Sequence, residues 1–157
     1  MTCGHLADPA TERAVLGALL ILPERLPEAL VAGLAPGSFS RPAYAVVFAA
    51  LMRLGPERSP SHLVSAVIGE LDRTRDLPVA GGPAGVTSLV LEAIEGAENP
   101  GSVAVDRLAA LIPAMAERLV VLAGARRVQR VLSEAAATIE RDPAAAHEVF
   151  AGLARSA

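Results

Sequence analysis

Side chains able to bind metal or act as nucleophiles are few and scattered. The 157-residue chain has one cysteine, Cys3, and three histidines, His5, His62 and His147. None is paired at zinc-ligand spacing, so no metal site is expected. The GxSxG and HExxH patterns are also absent. All fourteen basic residues are Arg, and there is no Lys. The phosphate-binding loop GxxxxGK[ST] therefore cannot occur in this sequence, because its Lys supplies the charge on the β/γ-phosphates. Gly81-Gly82-Pro83 is only a partial phosphate cradle: Pro83 has no N–H to offer, and no basic residue follows closely. Glu24 with Glu28, and Glu92 with Glu95, could be drawn as acid–base pairs but read as solvated helix faces. No catalytic residue and no cofactor are expected, and the chain does not read as an enzyme.

One basic cluster remains: Arg118, Arg126, Arg127 and Arg130. On a helix, Arg126 and Arg130 share a face, with Arg127 beside it. The cluster is either a solvated face paired with Glu117, Glu134 or Glu148, or a contact surface for a partner or a nucleic-acid backbone. A net charge of −3 and a pI near 5.6 give no general attraction to DNA, so any nucleic-acid contact is expected to be weak or indirect.

The Arg cluster lies in the longest stretch free of Gly–Pro punctuation, Met115 to Arg141. There Val121, Ala125, Val128, Leu132, Ala135 and Ile139 recur at alternating spacings of four and three, one apolar stripe along a helix. Asp142-Pro143 stops that helix and opens another, with Ala146, Val149, Phe150 and Leu153 on its apolar face. The two helices are expected to form an antiparallel hairpin whose apolar surface must be covered by a domain or a partner.

Upstream, proline and glycine mark out further helices. Asp8-Pro9 caps and opens the first, with Glu12 near its positive end and Val15, Leu16, Leu19, Leu20 and Leu22 on a buried face. Gly17 costs up to about 1 kcal/mol there relative to Ala, which predicts close approach by another helix. A short helix is expected from Glu24 to about Val31, then a loop in which Phe39 plugs the core. Helices from Pro42 to Leu54, from the Ser59-Pro60 cap, from Ala84 to Ile94 and from Ser102 to Ile112 follow, with a turn at Asn99-Pro100-Gly101. Pro113 is expected to kink or break the chain before the long stretch. Strand signals are poor. The expected fold is all-α: a loose tail (1–7), a compact bundle of about five to six helices (8–112) and a C-terminal antiparallel helical hairpin (114–157).

The hydrophobic share is 52% with only 3% aromatic, so the core must be built from Leu, Val, Ala and Ile. The opening lacks a signal-peptide pattern, and the nearest apolar run, Ala14 to Leu22, falls short of the roughly 18 residues that span a bilayer. A soluble cytoplasmic protein without membrane contact is expected.

Asp8-Pro9-Ala10-Thr11-Glu12-Arg13-Ala14-Val15-Leu16-Gly17-Ala18-Leu19-Leu20 resembles the opening of the N-terminal domain of DnaB-type replicative helicases. The likeness continues through Phe39, Arg41-Pro42-Ala43-Tyr44, Phe48, Leu77 and Gly81-Gly82-Pro83 into the hairpin from Arg118 to Leu153. Tyr44 stands where that family commonly has His. The resemblance implies a helical collar module that forms dimers, assembles as three dimers on a hexameric ring and meets primase. It also implies that the RecA-like ATPase motor is absent from this sequence. The expected function is a non-catalytic assembly module of DNA replication: a homodimer or higher oligomer, with primase or a full-length replicative helicase as partner. Its interface is expected to use Val121, Val128, Leu132, Ile139, Val149, Phe150 and Leu153, flanked by Arg126, Arg127 and Arg130. The alternative is a small helical DNA-binding or regulatory protein using the Arg126/Arg127/Arg130 face.

Overall fold

The computed structural model describes residues 6–95 and 102–156. Within these residues the chain is helical and contains no strand. The order is α1 (Pro9–Ile21), a 3-10 turn (Pro23–Arg25), α2 (Leu26–Val31), a 3-10 turn (Pro36–Ser38), α3 (Pro42–Leu54), α4 (Pro60–Arg73), α5 (Gly82–Glu95), α6 (Ser102–Arg141), a 3-10 turn (Pro143–Ala145) and α7 (Ala146–Ser156). The chain divides into two compact units, 1–123 and 124–157. Cys3, His5 and the Asn99-Pro100-Gly101 turn lie outside the described residues.

Helix α1 is the centre of the first unit, with Val15, Leu16, Ala18 and Leu19 wholly buried. Asp8 caps it: its carboxylate accepts from the Thr11 N–H at 3.1 Å and the Thr11 hydroxyl at 2.8 Å. These two hydrogen bonds, with the Arg118 guanidinium at 2.8 Å, hold the Asp8 carboxyl below its ordinary range. Gly17 does what its cost predicted. A Cβ there would lie 2.5 Å from both the Leu89 carbonyl oxygen and the Ala93 Cβ of α5. Gly17→Ala should therefore lower the unfolding free energy by about 1–3 kcal/mol despite the better helix propensity of Ala, because backbone cannot yield as a side-chain tip can. Urea denaturation checks this; an unchanged or raised midpoint would show that α1 and α5 do not approach so closely.

Glu12 sits in the first turn, near the positive end of the helix as expected, and it is also fully buried. Its Oε1 accepts from the Ser40 N–H at 2.8 Å, which ties the loop before α3 to α1; its Oε2 is buried without a partner. That loop is further fixed by Ser38, whose hydroxyl accepts from the Ala35 N–H at 3.1 Å. Phe39 is then a core plug, 7% exposed, with its ring 5.2 Å from that of Phe48.

Helix α3 has the bounds expected of it, and α4 packs against it. Ser59 precedes α4 as foreseen, but its hydroxyl pairs with that of Ser61 instead of capping the helix. The short second helix starts at Leu26, because Pro23–Arg25 forms a 3-10 turn first. Glu70 of α4 receives two hydrogen bonds from Arg73, at 2.7 and 2.9 Å, and one from Arg53 of α3 at 3.2 Å. The Arg73 hydrogen bonds lead in pulling its pKa from 4.5 down to about 2. A depressed carboxylate contributes stability that is complete above its ordinary pKa and lost as pH falls through its folded value. Glu70→Gln should flatten the fall in denaturation midpoint between about pH 4.5 and pH 2. An equally steep fall in the variant would remove Glu70 from the acid response.

Of the expected kink or break at Pro113, the break is corrected: α6 runs unbroken from Ser102 to Arg141 with Pro113 inside it. The reason is packing. Ala109, Ile112, Ala116 and Leu119 recur at three, four and three, all in the core, with the last three at 0% exposure. Burying that stripe offsets the hydrogen bond that Pro113 removes, and it carries the first unit past the proline to Ala123. The helix also overturns the expectation about long apolar runs. By length and composition alone, Asp106–Arg141 could cross a bilayer, since a span tolerates scattered charges. Yet Ile112, Ala116 and Leu119 are sealed inside the first unit, and Glu117, Arg118, Arg126, Arg127 and Arg130 punctuate the helix.

Candidate functional site

Helix α6 carries a second apolar stripe that the core does not use. In the first unit Val121 is 70% exposed. In the second unit Val128 is 59% exposed, Leu132 55% and Val131 40%, while Ala125, Ala135 and Ile139 are half-buried. Exposed Val and Leu repeating at four and three make a seam of coiled-coil type. The helix ends where Asp142 was expected to stop it. The Asp142 N–H donates to the Thr138 carbonyl at 2.9 Å, and the Asp142 carboxylate accepts from the Ala144 N–H at 3.0 Å. The 3-10 turn then leads into α7, where Val149 is half-buried. The backbone of α7 covers Phe150 and Leu153; their side chains lie outside those described.

The Arg cluster does not act as one patch. Arg118 binds Asp8 in the first unit instead of Glu117. Arg126 is half-buried and engaged, whereas Arg127 and Arg130 are exposed. At 100° per residue, Arg127, Arg130 and Val131 form a face of their own, roughly a third of a turn from the seam of Val128, Leu132 and Ile139.

The residues considered for other chemistry take structural roles. Glu28 pairs with Arg25, Glu92 pairs with Arg13 at 2.6 Å, and Glu24 and Glu95 are exposed. His62 and His147 are exposed, and no group of His, Cys, Asp and Glu among the described residues could hold a metal. Gly81 and Gly82 take φ of +84° and +72°, so their positive-φ role is as expected. The loop spends its N–H groups on itself: Gly81 donates to Pro78, Gly82 to Leu77 and Gly85 to Gly81. No cradle of free donors is left. Gly85 was not singled out from the sequence, yet a Cβ there would lie 2.2 Å from the Ala80 carbonyl oxygen. Its only sequence signal is a place one turn after Gly81. The surface of α6 offers exposed apolar side chains and cations.

Comparison with known proteins follows the same line. A family model described as DnaB-like helicase N terminal domain matches residues 5–104. Among solved structures, the chain is similar to the N-terminal domain of DnaB helicase from Mycobacterium tuberculosis, with 27% identity and a TM-score of 0.63. That likeness covers 92% of this chain and 91% of the other, so it extends well beyond the residues of the family match. No curated protein matches.

Proposed function

The chain belongs to the DnaB-like helicase N-terminal domain family, and from that premise we propose that it is a non-catalytic assembly module of DNA replication, acting in the cytoplasm. The observation that carries this reading is the exposed seam on α6. Val121, Val128 and Leu132 are each more than half exposed, at regular spacing on a helix whose opposite stripe is buried as far as Leu119. A soluble domain does not gain by leaving such a row in water, and a second copy offers a self-complementary cover. The interface is formed by Val121, Val128, Leu132, Ile139, Val149, Phe150 and Leu153 of each copy, flanked by Arg126, Arg127 and Arg130. The resulting dimer, or a larger assembly built on it, presents a surface to primase or to a full-length replicative helicase. Sedimentation equilibrium tests the first step: a dimer or larger species is expected at micromolar concentration, and a monomer at high micromolar concentration would sink it. Side-by-side pull-downs with the primase C-terminal domain and the full-length helicase of the same host test the second. Capture by neither would leave an oligomer without a replication partner and end that part of the reading.

The DNA-binding alternative rests on Arg127 and Arg130, which are exposed. It requires binding that weakens with salt, with a shallower slope once Arg127 and Arg130 become Ala. No binding at low salt removes it, and the pI of about 5.6 already weighs against it.

A further inference from the structure

Glu12 is a buried carboxylate with only one of its oxygens satisfied. It stands on α1 at 0% exposure, and none of the ion pairs among the described residues includes it. Oε1 accepts from the Ser40 N–H at 2.8 Å, and Oε2 is buried with no partner among the described residues. The positive end of α1 favours the charge but gives Oε2 no donor. In water both oxygens would be hydrogen-bonded. The closed arrangement therefore carries the cost of an unsatisfied charged acceptor, which exceeds that of a neutral one. The Ser40 side of this contact belongs to residues 35–40, which lead into α3. That segment also holds itself together. The Ser38 N–H donates to the Ala35 carbonyl at 2.9 Å, the Ser38 hydroxyl accepts from the Ala35 N–H at 3.1 Å, and the Phe39 N–H donates to the Pro36 carbonyl at 3.3 Å. Ahead of it stands Gly33 at φ +87°, where the backbone has a glycine's freedom to turn.

We propose that residues 35–40 are a strap that opens as one body while the helices stay folded, with Glu12 as the latch that sets how often it does so. The hydrogen bonds inside the strap survive the movement. Opening breaks the Glu12–Ser40 bond and unseats Phe39, whose ring lies 5.2 Å from that of Phe48. In return both Glu12 oxygens become hydrated, which partly offsets the lost burial of Phe39. Opening of the strap therefore lies below global unfolding in free energy. The device controls the exposure of aromatic surface. Closed, Phe39 is 7% exposed and Phe48 0%; open, the Phe39 ring and the side of Phe48 that it covers meet solvent. A purely structural tie, in which Glu12 only steadies the turn before α3, accounts for Oε1 but leaves Oε2 unexplained. The strap lies within the first unit and is independent of the seam on α6.

Native-state amide exchange of the full chain, read by NMR at low denaturant and one fixed pH, tests it. In the wild type the amides of Ser38, Phe39 and Ser40 are expected to exchange together. They should do so faster than those of Leu16 and Leu19 on α1, and with a smaller dependence on denaturant, because a strap exposes less surface than global unfolding does. Two variants separate the charge from the tie. Glu12→Gln keeps an acceptor for the Ser40 N–H and removes the charge, so the three strap amides should become about tenfold better protected. Glu12→Asp keeps the charge but is one methylene short of Ser40, so their protection should fall by about tenfold. Chymotrypsin cleavage after Phe39 reads the same opening, and should slow in the Gln variant and quicken in the Asp variant. The proposal is overturned if the strap amides exchange only with those of Leu16 and Leu19 and with the same denaturant dependence, for then the strap has no opening of its own. It is equally overturned if Glu12→Gln leaves protection unchanged or lowers it, since the carboxylate would then be no burden on the closed form. If Glu12→Asp does not fold, the wild type and Glu12→Gln decide the matter by themselves.

Discussion

Replacing Phe48 by Ala should cost the first unit about 3–5 kcal/mol, a large part of the 5–15 kcal/mol that holds a domain of this kind together. Phe48 has 0% exposure and stands on α3, where α1 and the loop before α3 converge. The loss has two parts: apolar area returned to water, and a cavity that the surrounding Leu and Val side chains cannot close. The ring also meets Phe39 at 5.2 Å with planes tilted by 44°. In a double-mutant cycle with Phe39→Ala, the coupling should be about 0.5–1.5 kcal/mol, the worth of an aromatic pair beyond its area. Urea denaturation of the four proteins, with slopes held constant, gives both figures. Strict additivity would mean that Phe39 plugs the core independently of Phe48, and a loss under 1 kcal/mol would mean that Phe48 is not at its centre.

That junction also shows what the sequence could and could not disclose. Asp8-Pro9, Ser59-Pro60 and Asp142-Pro143 announce helix starts because proline suits the first turn and costs a hydrogen bond in the interior. Gly17 was legible as a close approach because an unforced glycine in a helix is a cost that packing must return. Glu12 was legible as a first-turn acid, whereas its burial was not read. Its position three and four residues before Val15 and Leu16 already placed it on the core face. The break at Pro113 was misjudged because packing outweighed a local rule. The local rule against proline is worth about 3 kcal/mol, and burial of Ile112, Ala116 and Leu119 exceeds it. Periodicity alone cannot say which of two apolar stripes faces inward. On α6 both stripes satisfy a helical repeat, and only packing into the core of the first unit assigns Ala116 and Leu119 to the interior and leaves Val121 on the surface. The seam was therefore readable as a seam, while the division of the helix between interior and surface was not.

Leu132→Asp should raise the dissociation constant of the self-assembled form by roughly a hundredfold or more. Fully burying an exposed Leu is worth roughly 1.5–3 kcal/mol; with Leu132 55% exposed in the single copy, about half of that is gained, twice over in a two-fold interface, so roughly 1.5–3 kcal/mol of apolar burial is at stake. Desolvating two unpaired carboxylates adds at least about 1–3 kcal/mol, and at 1.4 kcal/mol per tenfold the sum reaches about two orders of magnitude. The folded chain should hardly notice, because Leu132 is 55% exposed and outside the first unit altogether. Helicity by circular dichroism and the urea midpoint of the first unit should stay at their wild-type values. This separation gives the variant its force: weakened association with intact helicity places Leu132 in the interface, whereas weakened association with lost helicity shows only that α6 needs the leucine to remain a helix. Leu132→Ala distinguishes the two, since Ala is the best helix former and removes only the apolar contact. It should retain full helicity and weaken association by an intermediate amount. Association unchanged in both variants would take the seam out of the interface and leave the exposed row on α6 without a cover.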